Sequence, residues 1–206
     1  MENQLVIHLT NVGKRYGRKV LFCGIDKVVQ PGQCIAITGK NGSGKSTLLK
    51  LIAGLVRPTS GAVEMICGNQ TLDTEQRLKQ LGFISPELVF YPTLTGVENL
   101  LFFANGHGCR CTKEQAEQAM EQVGLQTKRL LSTYSTGMKQ RLKFALLKIL
   151  QPALWLLDEP SANLDDEGKA LAMHCIKEAL QQGVTVIIAT NERWEAQYAD
   201  DEISLT

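Results

Sequence analysis

Gly39-Lys40-Asn41-Gly42-Ser43-Gly44-Lys45-Ser46-Thr47 fits the pattern G-x-x-x-x-G-K-[ST]. Each residue type has a physical job. Glycines let the backbone curl until successive N–H groups converge on one anion. A helix starting at the end of the loop adds about half a positive charge at its N-terminus. Lys45 is expected to reach the β- and γ-phosphates, and Ser46 to place its hydroxyl on Mg²⁺. This stretch implies binding of a nucleoside triphosphate, and by itself it separates neither kinase nor GTPase nor ATPase.

Leu154-Trp155-Leu156-Leu157-Asp158-Glu159-Pro160 is an apolar run that ends in two carboxylates. A strand buried on both faces reads as such a run, and its C-terminal end is where an open α/β sheet places ligands. Asp158 is the candidate Mg²⁺ ligand. Glu159 is the candidate base for an attacking water, a group that an ATPase needs and a kinase does not.

The elements that must position these groups alternate between strand and helix, which predicts an α/β fold. Strands are expected at Leu5 to Leu9, Val20 to Val29, Gln33 to Thr38, Ala62 to Ile66, Gly82 to Ser85, Ala153 to Leu157, Val184 to Ala189 and Glu202 to Leu205. Helices are expected at Ser46 to Leu55 and Asp166 to Leu180. From Thr95 to Ile149 the apolar residues recur at helical spacing, as in Leu100, Phe103 and Ala104 or Met138, Leu142, Ala145 and Ile149. That stretch predicts a helical insert at approximately 88–150 in a single domain of residues 1–206.

Composition narrows the function further. Among 206 residues, 22 basic and 21 acidic side chains leave a formal charge of +1, which argues against a dedicated nucleic-acid partner. The longest stretch free of charge, Ala179 to Asn191, is shorter than the ~20 apolar residues of a membrane span. Met1 to Gln4 lack the basic flank and apolar core of a signal peptide, so a cytoplasmic protein is expected. The six cysteines fit free thiols in that compartment. Cys109-Arg110-Cys111, with His107 nearby, lacks the further ligands of a metal site. His8, His107 and His174 stand outside the site motifs.

Between the two site motifs lies Tyr134-Ser135-Thr136-Gly137-Met138-Lys139-Gln140-Arg141. It resembles the Leu-Ser-Gly-Gly-Gln signature of ATP-binding cassette (ABC) ATPases. Ser135 and Gly137 match, while Tyr134, Thr136 and Met138 depart from it. An N-capped amphipathic helix explains the same residues. Ser161-Ala162-Asn163-Leu164-Asp165 resembles the family's D-loop. Tyr16 is similar to the aromatic that stacks on adenine, although an ordinary strand aromatic would look alike. The resemblance covers Leu5 to Leu205.

It implies a P-loop NTPase core of ABC type with a β subdomain and an inserted helical subdomain. It also implies two cassettes, a homodimer or a pair with a second cassette, closing head to tail on two ATP with Mg²⁺. Ser135, Thr136 and Gly137 of one copy would complete the nucleotide site of the other. An integral membrane transport subunit would be driven by this closure, with the cassette peripheral on the cytoplasmic face of the inner membrane. Phe90-Tyr91-Pro92 and Phe102-Phe103 form either a docking groove for that subunit or subdomain core. The chain stops soon after its last expected strand, which resembles compact exporter cassettes, including the haem-exporter ATPase of cytochrome c maturation.

Two departures bear on activity. Glu87 follows Pro86 where the family has a Q-loop Gln, and a carboxylate there can still ligate Mg²⁺. Asn191 stands where the family has a switch His; it donates a hydrogen bond but carries no charge. Slow hydrolysis is the expectation. A non-transport ABC ATPase of iron–sulfur assembly type and a weakly hydrolysing, nucleotide-gated scaffold are the alternatives.

Overall fold

Alternating burial shapes the first strand of the computed structural model, which describes residues 5–205. In β1 (Leu5–Tyr16), Leu5, Ile7 and Leu9 are buried while Val6 and His8 are half-buried between them. β1 pairs antiparallel with β2 (Lys19–Val29) and with β4 (Ser60–Cys67), and the short β5 (Gln70–Thr71) completes a sheet of order β2-β1-β4-β5. Met1 to Gln4, expected above to lack a signal peptide, lie outside the described residues.

A second sheet holds β3 (Cys34–Gly39), β6 (Leu81–Ile84), β7 (Leu154–Asp158), β8 (Thr185–Thr190) and β9 (Asp201–Leu205) in the order β6-β7-β8-β3-β9. The pairs β3–β8, β3–β9 and β7–β8 are parallel. Every residue of β7 and β8 is buried, as an apolar run covered on both faces requires. Helix α1 (Lys45–Ile52) contacts β3, β7 and β8 of this sheet and β4 of the other. Its Leu48, Leu49, Leu51 and Ile52 join Ile7, Ile35, Met65, Leu156 and Ile187 in one core.

These elements belong to one of two compact units, made of Met1–Phe83, Ala153–Glu159 and Ala179–Thr206; the other is Ile84–Pro152 with Pro160–Glu178. The second unit is helical. α3 (Gly96–Gly106), α4 (Lys113–Gln122) and α5 (Thr136–Leu150) pack on one another, and Leu100, Ala104, Ala116, Met120, Leu142 and Phe144 are buried. Thr95 with Glu98, and Thr112 with Gln115, form capping boxes that start α3 and α4. A further helix, α6 (Asp166–Gln181), supplies the rest of this unit up to Glu178.

Three short elements were not expected from the residues. They are β5, α2 (Thr74–Gln80) and α7 (Arg193–Ala196). α2 starts at a capping box of Asp73 and Gln76 but buries none of its residues, so its apolar periodicity is weak. β1 also runs past Leu9 to Tyr16. Asn11 adopts a positive φ of 47° and the register shifts there, and this irregularity interrupts the alternation that marks a strand in sequence.

Candidate functional site

The loop between β3 and α1 is built to take an anion. Gly39 has a φ of 147°, and a Cβ on it would lie 2.4 Å from the Leu205 carbonyl oxygen and 2.6 Å from Ser43 Oγ. Gly44 has a φ of 105° and sits against the Phe22 ring, 2.8 Å from where its own Cβ would be. Only glycine fits both places. The first-turn N–H groups of α1 have no intrahelical acceptor, and Gly44 at the N-cap supplies no side chain to accept from them. Ser43 Oγ is buried and, among the described residues, has no hydrogen-bond partner. Lys45 is buried at the mouth of the loop, where its Nζ donates to the carbonyl oxygens of Gly39 at 2.9 Å and Lys40 at 3.4 Å.

The two carboxylates stand beside this loop because β7 lies in the same sheet as β3. Asp158 is 4% exposed, and burial raises the pKa of its carboxyl, offset in part by a hydrogen bond from Ser46 and by the charge of Lys45. Its Oδ1 has no partner among the described residues. A buried carboxylate with a free oxygen beside a serine hydroxyl is a donor set that suits Mg²⁺. Asp158 and Ser46 are the residues that would hold it. Glu159 adopts a positive φ of 49° and lines a cleft of about 310 Å³ with Asn41, Gly42, Gly44, Lys45, Ser46 and Thr47. Leu21 of β2 lines it too.

Asn191 follows β8 and is exposed. It borders a second cleft, of about 850 Å³, with Gly39, Lys40 and Asn41 of the loop and with Arg193 and Glu202. Glu202 accepts a hydrogen bond from Thr38 Oγ1. Tyr16, at the end of β1, is 53% exposed, and Lys14 Nζ sits 4.9 Å from the centroid of its ring.

A family model described as ABC transporter matches residues 23–162. The chain belongs to the ABC transporter family as an ATP-binding cassette. Linearmycin resistance ATP-binding protein LnrL of Bacillus subtilis (strain 168) is 30% identical over 97% of this chain and 66% of its own length. Cytochrome c biogenesis ATP-binding export protein CcmA of Cupriavidus pinatubonensis is 33% identical over 90% of this chain and 83% of its own length. A solved dimeric bacterial ABC transporter cassette superposes with a TM-score of 0.83 at 26% identity, covering 97% of this chain and 94% of that one. The chain thus spans a little under two thirds of the length of relatives such as LnrL.

The second unit carries the segment that resembles the signature. Ser135 caps α5, its Oγ accepting from the Met138 N–H at 3.2 Å; Thr136 opens the helix, and Gly137 lies against the Asn163 carbonyl oxygen. Ser135 is thus the N-cap of α5, as an amphipathic helix with a serine at its start requires. Tyr134 turns inward, and its hydroxyl donates to the Gln126 carbonyl oxygen at 3.1 Å. α5 is tied to the D-loop-like segment: Gln140 Nε2 donates to the Pro160 carbonyl oxygen at 2.9 Å, and Arg141 pairs with Asp165 at 3.4 Å. Glu87 is exposed on a turn in which the Leu88 N–H bonds the Ser85 carbonyl oxygen at 3.1 Å. The buried Lys143 bonds that same oxygen at 2.7 Å.

The aromatic residues of this unit divide by burial. Phe90 is in the core, whereas Tyr91 and Phe102 are exposed and meet edge to face at 4.9 Å. Buried Asn99 clamps Tyr91 through both its backbone N–H and its carbonyl oxygen. Cys109 and Cys111 are free thiols, and the described residues contain no cluster of three metal-ligating side chains. Sequence reasoning did not single out Leu21, Lys14, Arg193 or Glu202. For Lys14 a signal existed: residues i and i+2 on a strand share a face.

Proposed function

We propose that this cassette binds ATP with Mg²⁺, hydrolyses it slowly, and uses pairing with a second cassette to drive a separate transmembrane subunit, residues 1–206 acting as one ATPase domain. The observation that carries the reading is the single cleft shared by Glu159 and the loop residues Gly42, Gly44, Lys45, Ser46 and Thr47. A carboxylate there is placed to accept a proton from water as it adds to the γ-phosphorus. The bond from that phosphorus to the β-phosphate oxygen then breaks, leaving ADP and phosphate. Lys45 and the N-terminus of α1 hold charge that develops on the phosphate oxygens. Asp158 and Ser46 would hold Mg²⁺, which when bound would supply neutralisation of phosphate charge. Asn191 offers an amide N–H toward the γ-phosphate, with no charge and no proton to shuttle.

Ser135, Thr136 and Gly137 at the start of α5 are assigned to the ATP of the opposing copy, and Tyr16 to its own adenine. The likeness to a dimeric cassette supports this pairing. Tyr91 and Phe102 present an exposed aromatic pair suited to a helix of the membrane subunit. No helix of the described residues is long and apolar enough to cross a membrane. Names of relatives that refer to resistance and export support an export system on the cytoplasmic face of the membrane. Phosphate release by the purified cassette, compared with a Glu159→Gln variant, tests the reading: equal rates refute hydrolysis at this site.

Asn191 and Glu87 favour a second reading, a nucleotide-gated scaffold that pairs on ATP without turnover. ATP-dependent dimerisation with no phosphate release, in the presence of the membrane partner, would select it.

A further inference from the structure

We propose that Lys14 is a positioning residue for the nucleotide base: its ammonium covers one face of the Tyr16 ring and leaves the other face as the platform on which a purine stacks. The inference rests on the assignment of Tyr16 as the stacking aromatic and adds a residue to it.

Three observations carry it. Lys14 Nζ lies 4.9 Å from the Tyr16 ring centroid, which is cation–π range. The ammonium is not a loose surface group, because it also donates to the Arg57 carbonyl oxygen at 2.7 Å. The strand around it is tied to the same region, with Thr59 N–H bonded to the Gly13 carbonyl oxygen at 2.8 Å and Arg15 N–H to Thr59 Oγ1 at 3.2 Å. The Lys14 ammonium is therefore anchored while it faces the Tyr16 ring, which is 53% exposed.

The ring also lies in the right neighbourhood. Tyr16 pairs with Lys19 at the end of the β1–β2 hairpin, and Leu21 and Phe22 of that hairpin pack on Gly44 of the phosphate loop. A purine reaching the open face of Tyr16 gains in two ways. A ring restrained by the Lys14 contact loses less side-chain entropy on stacking. The cation on the covered face draws π-density toward itself, which reduces repulsion between the stacked π-systems on the open face.

The test compares two probes with the full-length protein and Mg²⁺, by calorimetry: ATP and inorganic tripolyphosphate. Lys14→Met keeps the aliphatic stem and removes the charge. It should weaken ATP about 3- to 10-fold and leave tripolyphosphate unchanged, and Lys14→Arg should restore ATP affinity. In a Tyr16→Ala background Lys14→Met should have no further effect. Unchanged ATP affinity in Lys14→Met, or equal weakening of both probes, overturns the proposal. Loss of tripolyphosphate binding by the unaltered protein would instead refute the phosphate-loop reading, and unchanged ATP affinity in Tyr16→Ala would refute the stacking role on which the proposal stands.

Discussion

The backbone N–H of Glu159 donates to the carbonyl oxygen of Ala189 at 2.9 Å. The bond extends the β7–β8 ladder one residue past the pair Asp158–Ala189 and holds Glu159 at its positive φ of 49°. For a non-glycine residue this conformation costs about 1–2 kcal/mol. The sheet thus imposes a strained backbone on the carboxylate that shares a cleft with Gly44, Lys45 and Ser46.

Two substitutions separate strain from chemistry. Glu159→Gln is expected to reduce phosphate release by about 10²- to 10⁴-fold while ATP binding persists. Glu159→Gly should be equally inactive yet more stable than the wild type, by about 1 kcal/mol in denaturant titration, because glycine adopts this φ without cost.

Asp158 should carry a stability penalty that its ligand relieves. Burial raises its folded pKa above the ordinary 3.8, so the folded state binds the extra proton. Stability is therefore lost as pH rises from the ordinary value through the raised one, and the cost is fully present above the raised value. Asp158→Asn should raise the neutral-pH Tm of the nucleotide-free protein by about 2–4 °C and abolish the further rise given by Mg-ATP. A lower Tm for the variant would contradict the burial argument.

Lys143 is buried with its Nζ on the Ser85 carbonyl oxygen, and desolvation lowers its pKa below 10.5. A lysine with a depressed folded pKa costs stability at neutral pH, and the cost fades as pH rises through the depressed value toward the ordinary one. Lys143→Met removes the cost without orphaning the Ser85 oxygen, which still accepts the Leu88 N–H. Expected is a stabilisation of about 1 kcal/mol at pH 7 that shrinks at alkaline pH, measured by urea unfolding across pH.

Asn191 sets the rate in this reading. Asn191→His should speed phosphate release about 10-fold through a cationic contact with the γ-phosphate, and Asn191→Ala should slow it by a similar factor. Neither should alter ATP affinity by more than about twofold. Single-turnover assays measure the step directly, and an unaltered rate in both variants would remove Asn191 from the mechanism.

Tyr91 and Phe102 are predicted to serve the partner and not the nucleotide. The double change Tyr91→Ser with Phe102→Ser should leave ATP binding and Tm within about 2 °C of wild type, since both rings are already exposed. Co-purification with the membrane subunit should be lost. Retained complex formation would return these rings to a packing role.

What could be read from the residues alone was whatever local chemistry dictates. The glycine spacing of the loop, the apolar run before Asp158 and the cap at Ser135 each depend on neighbours a few positions away, so their types announced the loop, a buried strand and a helix start. The helical character of the stretch around α3 to α5 was legible for the same reason. Tertiary structure decided the rest. Strand order β6-β7-β8-β3-β9 sets Glu159 beside Ser46, though more than a hundred residues of chain lie between them. Burial of Asp158 and Lys143, the positive φ of Glu159 and the placing of Lys14 under Tyr16 all follow from which segments pair across that distance. A pattern of residue types carries no record of such pairing, because long-range contacts are selected by the summed packing of the core and not by any one stretch of chain.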